Sequence, residues 1–425
     1  MEMNERKNGP RILFITSHWP LAPAYGAQQR VLHIARILKR FGDLSLVLVP
    51  TDQETEATSQ RTRQEFDVRR VIRPVVAPRL SLASIPQRLK HEFDPTYLQT
   101  DPFVASEGDR AALVKLVNQH DIVWVHTIRT ANWFRCYRWP NSVLDADDIQ
   151  SRTHQSVADS SRSLGTRLVN LRRTWIWRRH ESHFKYRFDA VTVCSEEDRD
   201  YFGMAERTYV LPNGSNALLV PPRSYTEPPR VGFIGNCDFM PNREGLQWFI
   251  REIWPGIKRQ MPTLSLRLVG RGSDSGVAKL GPDIVGLGWV EDPGNEIASW
   301  SVMIVPIKVG GGTRVKVAEG FARKCPIVAT KLGAFGYGVQ NGEEILLADR
   351  AEDFASSCLR VLKNPKLGED IAQRAHTRFL REWTWEACEN PIRKAIQQCG
   401  RRGAIIQGPS TETVSGTSKV LTYEQ

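Results

Sequence analysis

Between residues 304 and 348 the chain reads IVPIKVGGGTRVKVAEGFARKCPIVATKLGAFGYGVQNGEEILLA. A short apolar run feeds three glycines, and a helix-period stretch then opens with Arg314 and Lys316 and carries Glu319 one turn on. Cations in a helix's first turn oppose its macrodipole and cost a few tenths of a kcal/mol, which an anion bound there would offset. Backbone amides around Gly310, Gly311, Gly312 and Thr313, with two basic side chains beside them, suit a diphosphate. Glu319 lies three residues beyond Lys316 on the same face, where a carboxylate can accept hydrogen bonds from vicinal sugar hydroxyls. Phosphate and ribose partners together suggest a nucleotide. The same spacing also allows Glu319 to pair with Lys316 or Arg323 on a solvated helix, and the helix alone does not choose.

A second constellation is VLDADDIQS at 143–151, where Asp145 and Asp147 form a D-x-D after an apolar run. Such a pair can hold a divalent cation against a diphosphate. The competing readings give Asp145, Asp147 or Asp148 an acceptor-side role, or the capping of the helix that follows. Because the helix start already supplies positive charge, a metal would be redundant and none is expected. GRGSDSG at 270–276 is one residue off the dinucleotide fingerprint and no clear helix follows it, so a nicotinamide oxidoreductase is disfavoured.

These residues need elements to position them. At 425 residues the chain is long enough for two or three domains, and its 41% hydrophobic and 25% charged content is that of a globular protein. Apolar runs at 11–16, 45–49, 121–125, 142–148, 189–195 and 208–214 alternate with helical stretches, the first from about Gln28 to Phe41. A proline-rich segment at 216–229 reads as a linker. The alternation resumes with runs at 231–235, 264–270, 283–288, 302–307 and 326–330 and a helix near Gly245 to Gln260. The pattern predicts α/β architecture, two doubly wound parallel-sheet domains at 1–215 and 230–380 with a cleft between them. An amphipathic helix within 381–400, containing Trp385, should pack back on the first domain, ahead of a disordered tail at 401–425. No apolar stretch is long enough to cross a membrane, the N-terminal residues lack a signal-like apolar region, and seven cysteines show no C-x-x-C pair. A reducing cytoplasm is therefore expected.

The second half resembles the glycosyltransferases of family 4. GFIGNCDFMPNREGLQWFIREIWP, LSLRLVGRG, GLGWVED, the glycine-rich helix start and PIVATKLGAFGYGV occur in the family's order, over roughly 230–390. Over the first 220 residues the similarity rests on the turn at Gly26, the strand ending in His126 and VLPNG before the linker. The resemblance implies the two-domain GT-B architecture and retaining transfer of a sugar from a nucleoside diphosphate to an acceptor hydroxyl, without a metal. Glu319 matches the family's ribose-binding glutamate, and a second glutamate eight positions earlier falls here on Gly311. Asn236, after Gly235, stands where many members have arginine, and the following lysine position falls at Pro241 or Asn242. Arg314 and Lys316 then become the pyrophosphate clamp. His126 would steady the reacting sugar, and backbone near Trp289 and Val290 would meet the base. The implied partners are a nucleotide-sugar donor and a saccharide or lipid-linked acceptor, in cell-surface polysaccharide or glycoconjugate biosynthesis. A nucleotide-sugar 2-epimerase and a non-catalytic carbohydrate-binding relative are the alternatives.

Residues 151–188 hold nine Arg or Lys against two acids, within a chain of net charge +11. Leu168, Leu171 and Trp175 recur there at helical spacing. Two readings follow: a basic helix resting on anionic lipid at the inner membrane face, or a solvated basic face over a packed stripe. Nucleic acid is not an expected partner, since no recognition motif accompanies the charge.

Overall fold

The computed structural model describes residues 9–22, 26–50, 55–76, 92–96, 98, 103–161, 163–216, 221–224, 226–276 and 281–399. The N-terminal eight residues, parts of the 216–229 linker, Arg162 of the basic stretch and the 401–425 tail lie outside them.

Fifteen strands form among the described residues: β1 Arg11–Thr16, β2 Asp43–Leu48, β3 Asp67–Val71, β4 Val75–Val76, β5 Phe103–Val104, β6 Ile122–His126, β7 Ser142–Asp145, β8 Ala190–Val193, β9 Thr208–Val210, β10 Arg230–Ile234, β11 Ser265–Val269, β12 Ile284–Gly286, β13 Val302–Val305, β14 Ile327–Ala329 and β15 Leu346–Leu347. They make two parallel sheets, β3-β2-β1-β6-β7-β8-β9 and β12-β11-β10-β13-β14-β15, with β4 and β5 as a small antiparallel pair. The central strands are buried on both faces, so β1 and β13 read as continuous apolar runs rather than alternating ones.

In each sheet the strand order reverses beside the domain's first strand, between β1 and β6 and between β10 and β13. Ligand crevices in such sheets open beyond the carboxyl ends of the strands at this reversal. His126 ends β6, while Gly235 follows β10 and the glycine-rich loop follows β13.

Two stretches differ from the sequence pattern. The helix placed near 245–260 begins at Met240, with Pro241 in its first turn, where the missing N–H is not needed. It continues through a π-helical turn, Phe249–Ile253, into Trp254–Gln260; the wider turn accommodates Pro255, which cannot donate to the residue four back. The basic stretch is a helical hairpin, Gln150–Ser160 against Leu164–Ser182.

After Trp383 the chain returns to the first domain. Trp385 stacks on His33 with ring centroids 4.5 Å apart. In the helix Glu389–Cys399, Ile392, Ala395 and Ile396 join the first domain's core cluster with Ile34, Ile37 and Leu38.

Candidate active site

The helix Val315–Ala322 is anchored by Val317, Ala318 and Phe321, all fully buried, which leaves Lys316 and Glu319 half-buried on the remaining face. Arg314 is its N-cap residue rather than a first-turn residue. The Arg314 Nη1 donates to the Gly311 carbonyl, while Nε and Nη2 are buried without a partner. Burial pulls the Arg314 pKa below its ordinary value, partly offset by the carboxylate of Asp148.

Lys316 Nζ donates to Asn242 Oδ1 at 2.8 Å and sits 4.0 Å from the Phe233 ring centroid. Burial, then the nearby charge of Arg314, lowers its pKa to about 7. Two like charges are thus held close together in a partly desolvated place, an arrangement that an anion would relieve. A Cβ at Gly235 would lie 2.8 Å from Lys316 Nζ, and one at Gly310 3.0 Å from Arg314 Nη2, so both cations lie directly against bare backbone. Asn242 occupies one of the two positions where the family resemblance places a lysine. Lys316 brings an ammonium to that spot from the facing helix.

Glu319 Oε1 accepts from Arg323 Nε at 3.3 Å, the pairing that the spacing allowed. Burial raises the Glu319 pKa and Arg323 counteracts it. Arg323 also approaches Asp292 at 3.6 Å, which sets the loop carrying half-buried Val290 and exposed Trp289 near Glu319. The Asn236 side chain is committed to its own turn, accepting from the Asp238 amide at 2.9 Å.

Four glycines mark places where the first domain meets this surface. Gly26 begins the helix Gly26–Phe41, and a Cβ there would lie 3.0 Å from Val315 Cγ2. The Gly310 amide donates to Ser156 Oγ at 3.0 Å, so it is not free for a donor sugar. A Cβ at Gly311 would lie 2.4 Å from Thr153 Oγ1, so the space of a side chain there is already filled. Gly312 has φ +68°, and a Cβ would stand 2.1 Å from Asp148 Oδ1.

The aspartates behave differently from one another. Asp145, expected on the acceptor side or on a metal, is fully buried and bound internally: Arg30 donates to it at 2.6 and 3.0 Å, Thr192 Oγ1 at 2.8 Å, and His126 Nδ1 lies 2.9 Å away. Burial alone would raise its pKa, yet Arg30 and His126 hold it well below the usual carboxylate range. Asp147 Oδ1 accepts from Asn213 Nδ2 and Cys194 Sγ, each at 3.1 Å. The D-x-D thus anchors the first domain's own network. Asp148 alone faces the second domain; desolvation and then the charge of Asp147 push its pKa up. None of the three caps the next helix, whose N-cap Ile149 makes no side-chain capping bond.

His126 is fully buried, with Nε2 unpartnered. Half-buried His18, just past β1, has its ring centroid 5.8 Å away and is the more accessible imidazole. Sequence reasoning passed over His18, although its position in TSHWP right after a strand was a usable sign. It also missed Arg30 and Asn213. Asn213 ties the domains together, accepting from Arg30 Nη1 at 3.1 Å and donating to Thr313 Oγ1 at 2.9 Å. Tyr337 reinforces the tie by donating to the Asn213 carbonyl at 3.4 Å.

Two facing Rossmann-like parallel-sheet domains are the GT-B arrangement. Residues 228–364 match the family model described as glycosyl transferases group 1. Among curated proteins, an uncharacterized 44.6 kDa protein in a cps region of Klebsiella pneumoniae is 21% identical over 88% of this chain and 96% of its own. An uncharacterized glycosyltransferase of Methanocaldococcus jannaschii is 29% identical over 24% of this chain and 31% of its own. Among solved structures, the sucrose-phosphate synthase of Thermosynechococcus elongatus superposes with a TM-score of 0.62 at 18% identity, covering 92% of this chain and 98% of that one. HepE of Anabaena, solved with UDP and glucose, gives 0.63 at 16% identity, covering 91% and 99%. The matched domain within this fold makes the chain a glycosyltransferase.

Proposed function

We propose that the protein is a retaining transferase that moves a sugar from a nucleoside diphosphate to a hydroxyl of a saccharide or lipid-linked acceptor, in the cytoplasm, for cell-surface polysaccharide or glycoconjugate synthesis. The observation that carries this reading is Arg314, with two buried N–H groups unpartnered beside the partly desolvated ammonium of Lys316. Cleavage of the anomeric C–O bond builds negative charge on the departing diphosphate, and preorganised cations there lower the barrier. Retention follows if the departing phosphate takes the acceptor's proton as the new bond forms on the same face, so no carboxylate nucleophile is required. Glu319, released from Arg323, binds the ribose hydroxyls, and the Trp289–Val290 backbone meets the base. A relative of similar length in a cps region supports the polysaccharide role, and seven free cysteines support a reducing compartment.

Thermal-shift measurement with UDP, GDP, ADP and dTDP, each with and without EDTA, tests the reading. A nucleoside diphosphate at a hundred times its Kd should add about 2.7 kcal/mol of stability. No shift with any of the four overturns the donor site, and a shift that EDTA abolishes overturns its metal independence. Glu319→Ala should weaken the active diphosphate by roughly 1.5–3 kcal/mol, the range for a hydrogen bond to a charged group.

A further inference from the structure

The helix Leu164–Ser182 is built inside out. Its buried residues are Asn170, Thr174, His180 and Glu181, with Ile176. Asn170 holds His154 and the Thr166 carbonyl, Thr174 the Asn170 carbonyl, and Glu181 the amide and hydroxyl of Ser151. Leu164, Leu168, Leu171 and Trp175 stand instead in solvent, at 76, 67, 37 and 43% exposure. Their spacing of i, i+4, i+7 and i+11 draws one line about 17 Å long down a single face. Exposed Phe93, edge-on to Trp175 at 5.8 Å, widens its lower end. The packed stripe that the sequence allowed is therefore not packed; the hairpin partner takes the polar side.

Helical spacing puts Arg167 and Arg178 along one border of this stripe and Arg172 and Arg179 along the other. The Arg179 guanidinium lies 5.0 Å from the Trp175 ring, and Arg172 pairs with Glu92. An apolar line with tryptophan at one end and arginines on both borders matches the boundary between acyl chains and anionic headgroups. We propose that this face docks the protein on an anionic lipid bilayer, leucines and Trp175 entering the interface and the arginines meeting lipid phosphates. Charge selects this occupant. A second copy would set the same arginines against one another, and residues 78–91 carry three basic residues and no acid. Ser156, on the other helix of the hairpin, touches the glycine loop at Gly310, so the docked face is one helix away from the cleft. The inference does not depend on which donor is used.

Co-sedimentation of the full chain with phosphatidylcholine vesicles, with and without phosphatidylglycerol, is the test. Binding should require phosphatidylglycerol and weaken with salt. Leu168→Ser combined with Trp175→Ser should reduce partitioning by about tenfold or more, and Arg167→Gln by about fivefold. These positions are exposed, so melting temperature and nucleotide-induced thermal shift should stay at wild-type values. Failure to bind phosphatidylglycerol vesicles overturns the proposal. So does binding that the Leu168/Trp175 variant leaves unchanged, or a lipid-free dimer that this variant dissociates without any vesicle binding. Loss of the nucleotide shift in wild-type protein would instead count against the donor site alone.

Discussion

Two arginines stand on either side of the cleft, and their surroundings are opposites. Arg30 spends Nε, Nη1 and Nη2 on Asp145, the Leu211 carbonyl and Asn213, and neither it nor Asp145 is exposed. Arg314 uses Nη1 alone, and its other buried groups face no acceptor. Burial of a charge is tolerated when every donor is met, and Arg30 meets that condition without help. Arg314 meets it only when something negative arrives. Residue type would not separate the two, since each pairs an arginine with nearby aspartate. Completeness of the hydrogen bonding does, and it divides scaffold from site.

The largest expected effect tests the scaffold half. Arg30→Ala leaves Asp145 buried without its guanidinium partner, and should lower unfolding free energy by about 3–5 kcal/mol, read from urea titration. Arg314→Ala should do the reverse: a loss in kcat on the order of a hundredfold with the urea midpoint nearly unchanged. Equal stability losses in the two variants would erase the distinction.

The smallest effect is the pH response of Lys316. With a folded pKa of about 7 against an ordinary 10.5, the folded protein holds fewer protons than the unfolded chain between those values. The Lys316 contribution to unliganded stability should therefore rise with pH from about 7 to about 10. Nucleotide affinity should move oppositely, falling by up to about tenfold per pH unit above 7 as the ammonium is lost. Lys316→Met should flatten both curves, and a parallel response of the two in the wild type would contradict the assignment.

The two parallel sheets were legible because parallel strands covered on two faces are written as unbroken apolar runs, RILFIT and VMIV among them. Arg314 and Lys316 stood out in the sequence because cations at a helix start oppose its dipole. Asp145 was misread because D-x-D spacing carries no sign of Arg30, 115 residues earlier in the chain. The polarity of the helix Leu164–Ser182 was equally hidden. Periodicity locates a stripe, but which side meets the partner helix depends on Ser151 and His154 being there to receive Glu181 and Asn170.

Thr153 and Gly311 share one volume, divided between two domains and 158 positions of sequence. A glutamate introduced at 311 alone would strike the threonine and wedge the domains apart, and trimming Thr153 alone would leave a vacancy with nothing to fill it. Either step by itself should lower fitness while the pair together need not. Any drift between this chain's glycine and the glutamate that the family resemblance places there is thus an epistatic one, gated by a residue in the opposite half of the molecule.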